Sequence, residues 1–209
     1  MSQAALDRRL AAGLRELGIE LDESRRGRML AYLELLARWN RAYNLTAIES
    51  PEAMVDRHLL DSLSILPWIR GTRILDAGTG AGLPGVVLAI ARPECHFVLV
   101  DSNGKKIRFL RQVRRELGLD NIEPVQARIE DLAPEPVPDL VVARALAPLP
   151  RLVGQLEPFL ARGAGLLAMK GRMAQSECAA IEDAYNVEPI ELEVPGTDAV
   201  RYLVMVNRK

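Results

Sequence analysis

Five residues in one short stretch have the types and spacing to hold a ligand: Asp76, Gly78, Gly80, Gly82 and Gly85, within Arg73-Ile74-Leu75-Asp76-Ala77-Gly78-Thr79-Gly80-Ala81-Gly82-Leu83-Pro84-Gly85. Ile74 and Leu75 supply a short apolar run, and Val86, Val87, Leu88 and Ile90 resume an apolar helix face after the glycines. The pattern predicts a buried strand, a glycine-rich turn and the start of a helix. Glycines at alternate positions let backbone approach a ligand with no Cβ in the way. The helix behind them aims unpaired N–H groups and a positive dipole end at the same place. Asp76, closing the strand, is expected at the rim of the crevice where open α/β sheets bind ligands.

Two cofactors compete for this loop. Gly80, Gly82 and Gly85 fit G-x-G-x-x-G, the dinucleotide fingerprint, while Asp76, Gly78, Gly80 and Gly82 fit D-x-G-x-G-x-G, the signature of S-adenosylmethionine-dependent methyltransferases. The second reading uses more residues, because it gives Asp76 a role against the cationic methionine end of the cofactor. A pyrophosphate would not welcome a carboxylate beside it. Asp101 ends the next expected strand, where an acid can accept from both ribose hydroxyls of an adenosine in either cofactor. Ile129, after the third strand, is placed to cover an adenine ring. Arg144 ends the fourth strand, which should lie beside the first, and so is expected next to the reactive centre.

The elements that would position these residues alternate from Arg73 onward. Strands are expected over 73–77, 96–100, 122–127, 140–143 and 166–169, with helices near 84–92, 104–117, 146–160 and 173–184. Such alternation implies a mostly parallel sheet with helices on both faces. Two further strand-like runs, 188–194 and 201–206, have no helix between them and should close the sheet as an antiparallel hairpin. Residues 1–70 read as a helical cap on the domain formed by 71–209. Leu6, Leu10, Leu14 and Leu17 recur at helical spacing before Gly18, and Asp22 or Ser24 can cap a second helix that breaks near Asn40-Arg41-Ala42-Tyr43-Asn44-Leu45-Thr46. Ser50-Pro51-Glu52 is a helix start, and Met54, His58, Leu59, Ser62 and Leu66 share a face of the helix it begins. On that face His58 reads as a packed residue more readily than as a base, with Asp61 able to orient it.

The 209 residues are 49% hydrophobic, which excludes a disordered chain, and no apolar run is long enough to span a membrane. Asp7, Arg8 and Arg9 interrupt any signal core near the start, and Cys95 and Cys178 match no metal or redox spacing. A cytoplasmic protein with free thiols, no bound metal and no membrane partner is expected, and one compact domain of this kind could work as a monomer. A net charge of −1 gives no global case for nucleic acid. The local case is stronger. Lys105, Lys106, Arg108, Arg111, Arg114 and Arg115 precede the first acid of their helix, and Arg25, Arg26 and Arg28 form a second cluster. Ordinary surface helices mix signs. Lys105, Lys106, Arg108, Arg111 and Arg115 are therefore candidate contacts to an RNA backbone, the alternative being a solvated face.

Five segments together carry a family resemblance: Trp39-Asn40-Arg41-Ala42-Tyr43-Asn44-Leu45-Thr46, Arg57-His58-Leu59-Leu60-Asp61-Ser62, Asp76 through Gly85, Asp101-Ser102 with Lys105-Lys106, and Met169-Lys170-Gly171. From roughly residue 30 onward the chain resembles the bacterial glucose-inhibited division protein B family, the small-subunit ribosomal RNA guanine-N7 methyltransferases. The resemblance implies a Rossmann-like class I methyltransferase fold and S-adenosyl-L-methionine as cofactor. It also implies cofactor contacts at Gly78, Leu83, Ile129, Glu130 and Arg144, and an acceptor guanine in the decoding-region loop of 16S ribosomal RNA, free or in the small subunit. Guanine N7 has an in-plane lone pair and no proton, so no general base is required. Arg144 could read O6 or align the donor, but not hold N7, which must be free to attack. A methyltransferase acting on a small molecule or protein, and a binding module without turnover, are the alternatives.

Overall fold

In the computed structural model, residues 2–133, 135–171 and 175–209 are described. Two long helices open the chain, α1 (Gln3–Glu16) and α2 (Glu23–Tyr43). The Asp22 side chain caps α2 by accepting from Arg25 N, and Asn44, in the left-handed conformation, stops it. The helix therefore runs three residues past Asn40, where the break was expected. Ser50 caps α3 (Pro51–Met54) by accepting from Ala53 N. The same helical segment then widens into a π-helical stretch, Val55–Leu60, before one last turn, α4 (Asp61–Leu63). The residue sequence gives no warning of that widening, which lies over Asp56, Arg57 and His58.

From Arg73 the expected alternation holds: β1 (Arg73–Ala77), α5 (Gly85–Ala91), β2 (His96–Asp101), α6 (Gly104–Leu117), β3 (Ile122–Gln126), β4 (Leu140–Arg144), α7 (Leu149–Leu160), β5 (Gly165–Lys170), α8 (Gln175–Ala179), β6 (Tyr185–Leu192) and β7 (Arg201–Arg208). The seven strands lie in the order β3-β2-β1-β4-β5-β7-β6. The first five are parallel, and β7 runs antiparallel to both β5 and β6. Among the described residues between β3 and β4 there is only a 3-10 turn, Ile129–Asp131. The helix expected over 173–184 is shorter, and its start falls partly outside the described residues. Pro148 holds back the start of α7, leaving 145–148 as a loop.

Side chains alternate across the sheet, so two cores form. On one face Ile74, Phe97, Leu99 and Val142 pack with α5, α6 and the leucines of α1 and α2. On the other, Leu75, Val141, Leu166 and Val204 pack with Leu152, Leu156 and Phe159 of α7. The N-terminal helices thus share a continuous core with the sheet. One polar link joins them as well: the fully buried Tyr32 of α2 donates its hydroxyl to Ala81 O of the glycine loop at 2.8 Å. Among the described residues no helix is long and apolar enough to cross a membrane.

Candidate active site

The C-terminal ends of the parallel strands carry Asp76, Asp101 and Arg144 to one edge of the sheet. Asp76 does not sit at the rim. It is fully buried beneath the loop, where its Oδ2 accepts from Thr79 Oγ1 at 2.7 Å and from Gly85 N at 2.8 Å. The close approach needs glycine at position 85, since a Cβ there would lie 2.5 Å from that same oxygen and 2.3 Å from Leu99 Cδ2. Burial pushes the Asp76 carboxyl up to about 6, against the pull of its two donors. Asp76 thus has an internal role, its Oδ2 stapling the loop to the first amide of α5, while its Oδ1 is buried with no hydrogen-bond partner. That amide, at the N-terminus of α5, is therefore not free for a bound pyrophosphate.

Gly80 shows what the loop gains. Its φ of +60° is the left-handed conformation, and its N–H donates to Asp101 Oδ2 at 3.1 Å. Asp101 also accepts from Asn103 N at 2.8 Å and pairs with Lys106 Nζ at 3.0 Å. Lys106 therefore faces inward, unlike Lys105, Arg108, Arg111 and Arg115, which are exposed on the outer face of α6. Of the five cations expected to face RNA, Lys106 is the one turned toward Asp101.

A cavity of about 520 Å³ opens here, lined by Gly78, Val100, Asp101, Ser102, Lys106, Ala127, Arg128, Ile129, Glu130, Arg144, Ala145, Leu146 and Gln155. Asp101, Ile129, Glu130, Gly78 and Arg144 thus come together as the sequence reading requires. Asp76, Gly80, Gly82 and Leu83 do not line it: Leu83 packs in the core, and a Cβ on Gly82 would strike Val86 and Leu110. They shape the wall from behind. An acid for the ribose, an apolar Ile129 face for the base and backbone at Gly78 fit an adenosine group with a cationic end.

A second cavity, of about 280 Å³, adjoins the first and shares Arg144 and Ala145 with it. Ile48, Arg57, His58, Asp61, Met169, Lys170, Gly171 and Arg201 complete its lining. Asp61 is its acid, 4% exposed, and does not orient His58. It accepts instead from Arg144 Nη1 at 2.9 Å and from Arg201 Nε at 2.8 Å. His58 Nδ1 lies 3.1 Å from Arg57 O, which can only accept, so this nitrogen carries the proton; Nε2 then accepts from Thr46 Oγ1 at 3.0 Å. Burial first, and the Arg144 guanidinium second, hold the imidazole down to about 4. Thr46 is placed by its own N–H donating to Asn40 Oδ1 at 2.8 Å, which gives the Asn40–Thr46 segment its function.

Sequence reasoning missed Arg201 and assigned no role to Lys170. The signal for Lys170 was its position at the end of β5. For Arg201 it was the antiparallel hairpin, whose register sets Tyr202 opposite Lys170 and so brings the start of β7 to the same edge as the ends of the parallel strands. Ala145, with φ +51°, is a further unassigned residue at the junction of the two cavities.

Comparison with known proteins agrees with this geometry. The family profile for rRNA small subunit methyltransferase G matches residues 25–204. Ribosomal RNA small subunit methyltransferase G of Chromohalobacter salexigens is 52% identical over 205 residues, covering 98% of each chain. The Escherichia coli protein of that name is 44% identical over 200 residues, 95% of this chain and 97% of its own. Among solved structures, a magnesium protoporphyrin IX methyltransferase from Synechocystis with bound S-adenosylmethionine aligns with a TM-score of 0.59 at 15% identity, over 90% of this chain and 98% of its own. A methyltransferase from Aquifex aeolicus aligns with a TM-score of 0.58 at 19% identity, over 78% and 96%. At those identities the structures establish the fold, the Rossmann-like class I methyltransferase sheet.

Proposed function

The chain belongs to the rRNA small subunit methyltransferase G family, and from that premise we propose that it transfers the methyl group of S-adenosyl-L-methionine to N7 of a guanine in the decoding-region loop of 16S ribosomal RNA. The observation that carries this reading is the pair of adjoining cavities, one suited to an adenosine cofactor and one lined by cations, meeting at Arg144 and Ala145. Residues 1–70, as a helical cap, bring Ile48, Arg57, His58 and Asp61 to the acceptor side, and 71–209 supply its other residues and the cofactor side.

In this reading Asp101 takes the ribose hydroxyls, Ile129 and Glu130 border the base, and Gly78 offers backbone to the methionine portion. The N7 lone pair forms the new N–C bond as the C–S bond breaks, and the bonding electrons stay on sulfur. No proton moves, which suits a site whose histidine is neutral and fully hydrogen-bonded. In-line positioning by Arg144 and the cavity walls supplies the catalysis. N7 lies in the deep major groove of A-form RNA, so the target base must be presented from a loop or flipped out. The exposed Lys105, Arg108, Arg111 and Arg115 face of α6 is suited to the surrounding phosphates. We read the protein as a cytoplasmic monomer.

The test is radiolabelled methyl transfer to naked ribosomal RNA, intact small subunits and protein lysate in parallel. Label in 16S RNA, released as N7-methylguanosine on digestion, is the expected result. Label in protein alone, or cofactor binding with no transfer to any acceptor, would sink the proposal.

A further inference from the structure

The second cavity holds one buried acid among four cations, and guanine has a matching feature. Asp61 lies beside Arg57, Arg144, Lys170 and Arg201 in a space of about 280 Å³, near the lower end of ordinary ligand pockets. Its two oxygens have about four lone-pair sites. Arg144 takes one on Oδ2 and Arg201 takes one on Oδ1. By that count one acceptor site remains on each oxygen.

Resting on the proposed function, we infer that this cavity receives the acceptor guanine and that Asp61 selects it, its carboxylate accepting from guanine N1–H and the 2-amino group while Arg144 and Arg201 hold that carboxylate in place. The two donors lie on the opposite edge of the purine from N7. A base gripped there leaves its N7 edge free for the neighbouring cavity, with which this one shares Arg144 and Ala145. Adenine presents a lone pair at N1, which the carboxylate repels, so the same group that accepts guanine rejects adenine.

The arrangement also acts on the chemistry. When N7 takes the methyl group, positive charge passes from sulfur into the purine ring, and the N1–H and 2-amino donors become more acidic. Their hydrogen bonds to a carboxylate strengthen as the transition state forms, which is the kind of differential binding that raises a rate. Without Asp61 the ring would acquire positive charge beside Arg57, Arg144 and Arg201, while the fourth cation, Lys170, is already paired with Glu177.

Inosine separates this inference from the reaction itself, because it keeps N7, O6 and N1–H and lacks only the 2-amino group. Single-turnover methylation is measured on 16S RNA, or on the reconstituted subunit, carrying guanosine or inosine at the target position. For the wild type, inosine should react about tenfold more slowly, the loss of one hydrogen bond to a charged acceptor. In Asp61→Asn the guanosine rate should fall to the wild-type inosine rate or below, and guanosine and inosine should then differ by less than about twofold, the signature of a coupled pair. Circular dichroism and a cooperative thermal transition on the same variant should match the wild type, which establishes that it is folded. Equal wild-type rates on guanosine and inosine would overturn the role of Asp61 while leaving the guanine-N7 reading standing, and this comparison decides the matter even if the variant does not fold. Failure of the wild type to methylate any ribosomal RNA would overturn the function and this inference together.

Discussion

Lys106 Nζ and Asp101 Oδ2 lie 3.0 Å apart, in the cavity where a cofactor ribose would need that same carboxylate. The ammonium and the ribose diol compete for one acid, and a cationic cofactor meets an extra positive charge there. Lys106→Met should therefore tighten S-adenosylmethionine binding by roughly threefold to tenfold, and Asp101→Ala should weaken it by about tenfold or more. Isothermal calorimetry on both variants checks the pair. Weaker binding by Lys106→Met would show that the lysine assists the cofactor.

Asp76 governs the loop from within. Asp76→Ala leaves Gly85 N and the Thr79 hydroxyl without their buried acceptor, and should cost about 3 kcal/mol in urea unfolding. Asp76→Asn keeps an acceptor oxygen and removes the charge. Because burial raises this carboxyl from 3.8 to about 6, its contribution to stability is greatest below the lower value and is lost as pH rises through the upper. The stability of Asp76→Asn relative to wild type should accordingly increase from about pH 4 to about pH 7. A difference that stays flat with pH would mean the wild-type carboxyl titrates normally.

The exposed cations of α6 should act on RNA and leave the cofactor alone. Replacing Lys105, Arg108 and Arg111 by Glu should weaken RNA binding and flatten the plot of log affinity against log salt by about 0.7–0.9 for each phosphate contact removed. Cofactor affinity should not change, since none of the three lines the cofactor cavity. An unaltered salt slope would identify this face as solvated surface.

His58 should hold its neutral state throughout the working range. It is held down to about 4, below the usual histidine value of 6.5, so single-turnover rates at saturating substrates should vary little from about pH 6.5 to about 8.5. His58→Ala should slow transfer modestly, by loosening Thr46 and Arg57, without reshaping that profile. Arg144→Lys should cost more, because Nη1 donates to both Asp61 and Arg57 O from the end of a longer, planar group, and a lysine keeps the charge but loses that group between the two cavities. Loss of nearly all activity together with the wild-type pH profile in a folded His58→Ala variant would point to a proton-bearing acceptor atom.

The sheet was legible because apolar runs ending in Asp76, Asp101 and Arg144 alternate with helical patterns, and because Pro195-Gly196 separates two strand-like runs with no helix between them. The cofactor cavity was legible to the same degree, since strand ends in such a sheet converge on one edge. The destination of each side chain was not. Asp76 could have faced a ligand or its own loop, and only the positions of Thr79 and Gly85 decide which. Lys106 is one cation among six in its helix, and its inward turn depends on Asp101 lying five residues before it. Arg201 meets Asp61 across 140 residues, a pairing that follows from the β5–β7 register rather than from any local pattern. The π-helical stretch over Val55–Leu60 has no composition signal at all, because its residues would equally suit an ordinary helix.

The Tyr32 hydroxyl on Ala81 O makes the glycine loop a ledge fastened from two sides, by Asp76 below and by α2 above. Reciprocity then applies to the two ligands. If cofactor binding firms that ledge, it also firms the seating of α2, and RNA pressing on the N-terminal helices must return the same coupling free energy to the cofactor. Hydrogen exchange in α2 should slow when S-adenosylhomocysteine binds, even though no residue of that helix lines the cofactor cavity. Tyr32→Phe, which keeps the packing and cuts the fastening, should uncouple the two.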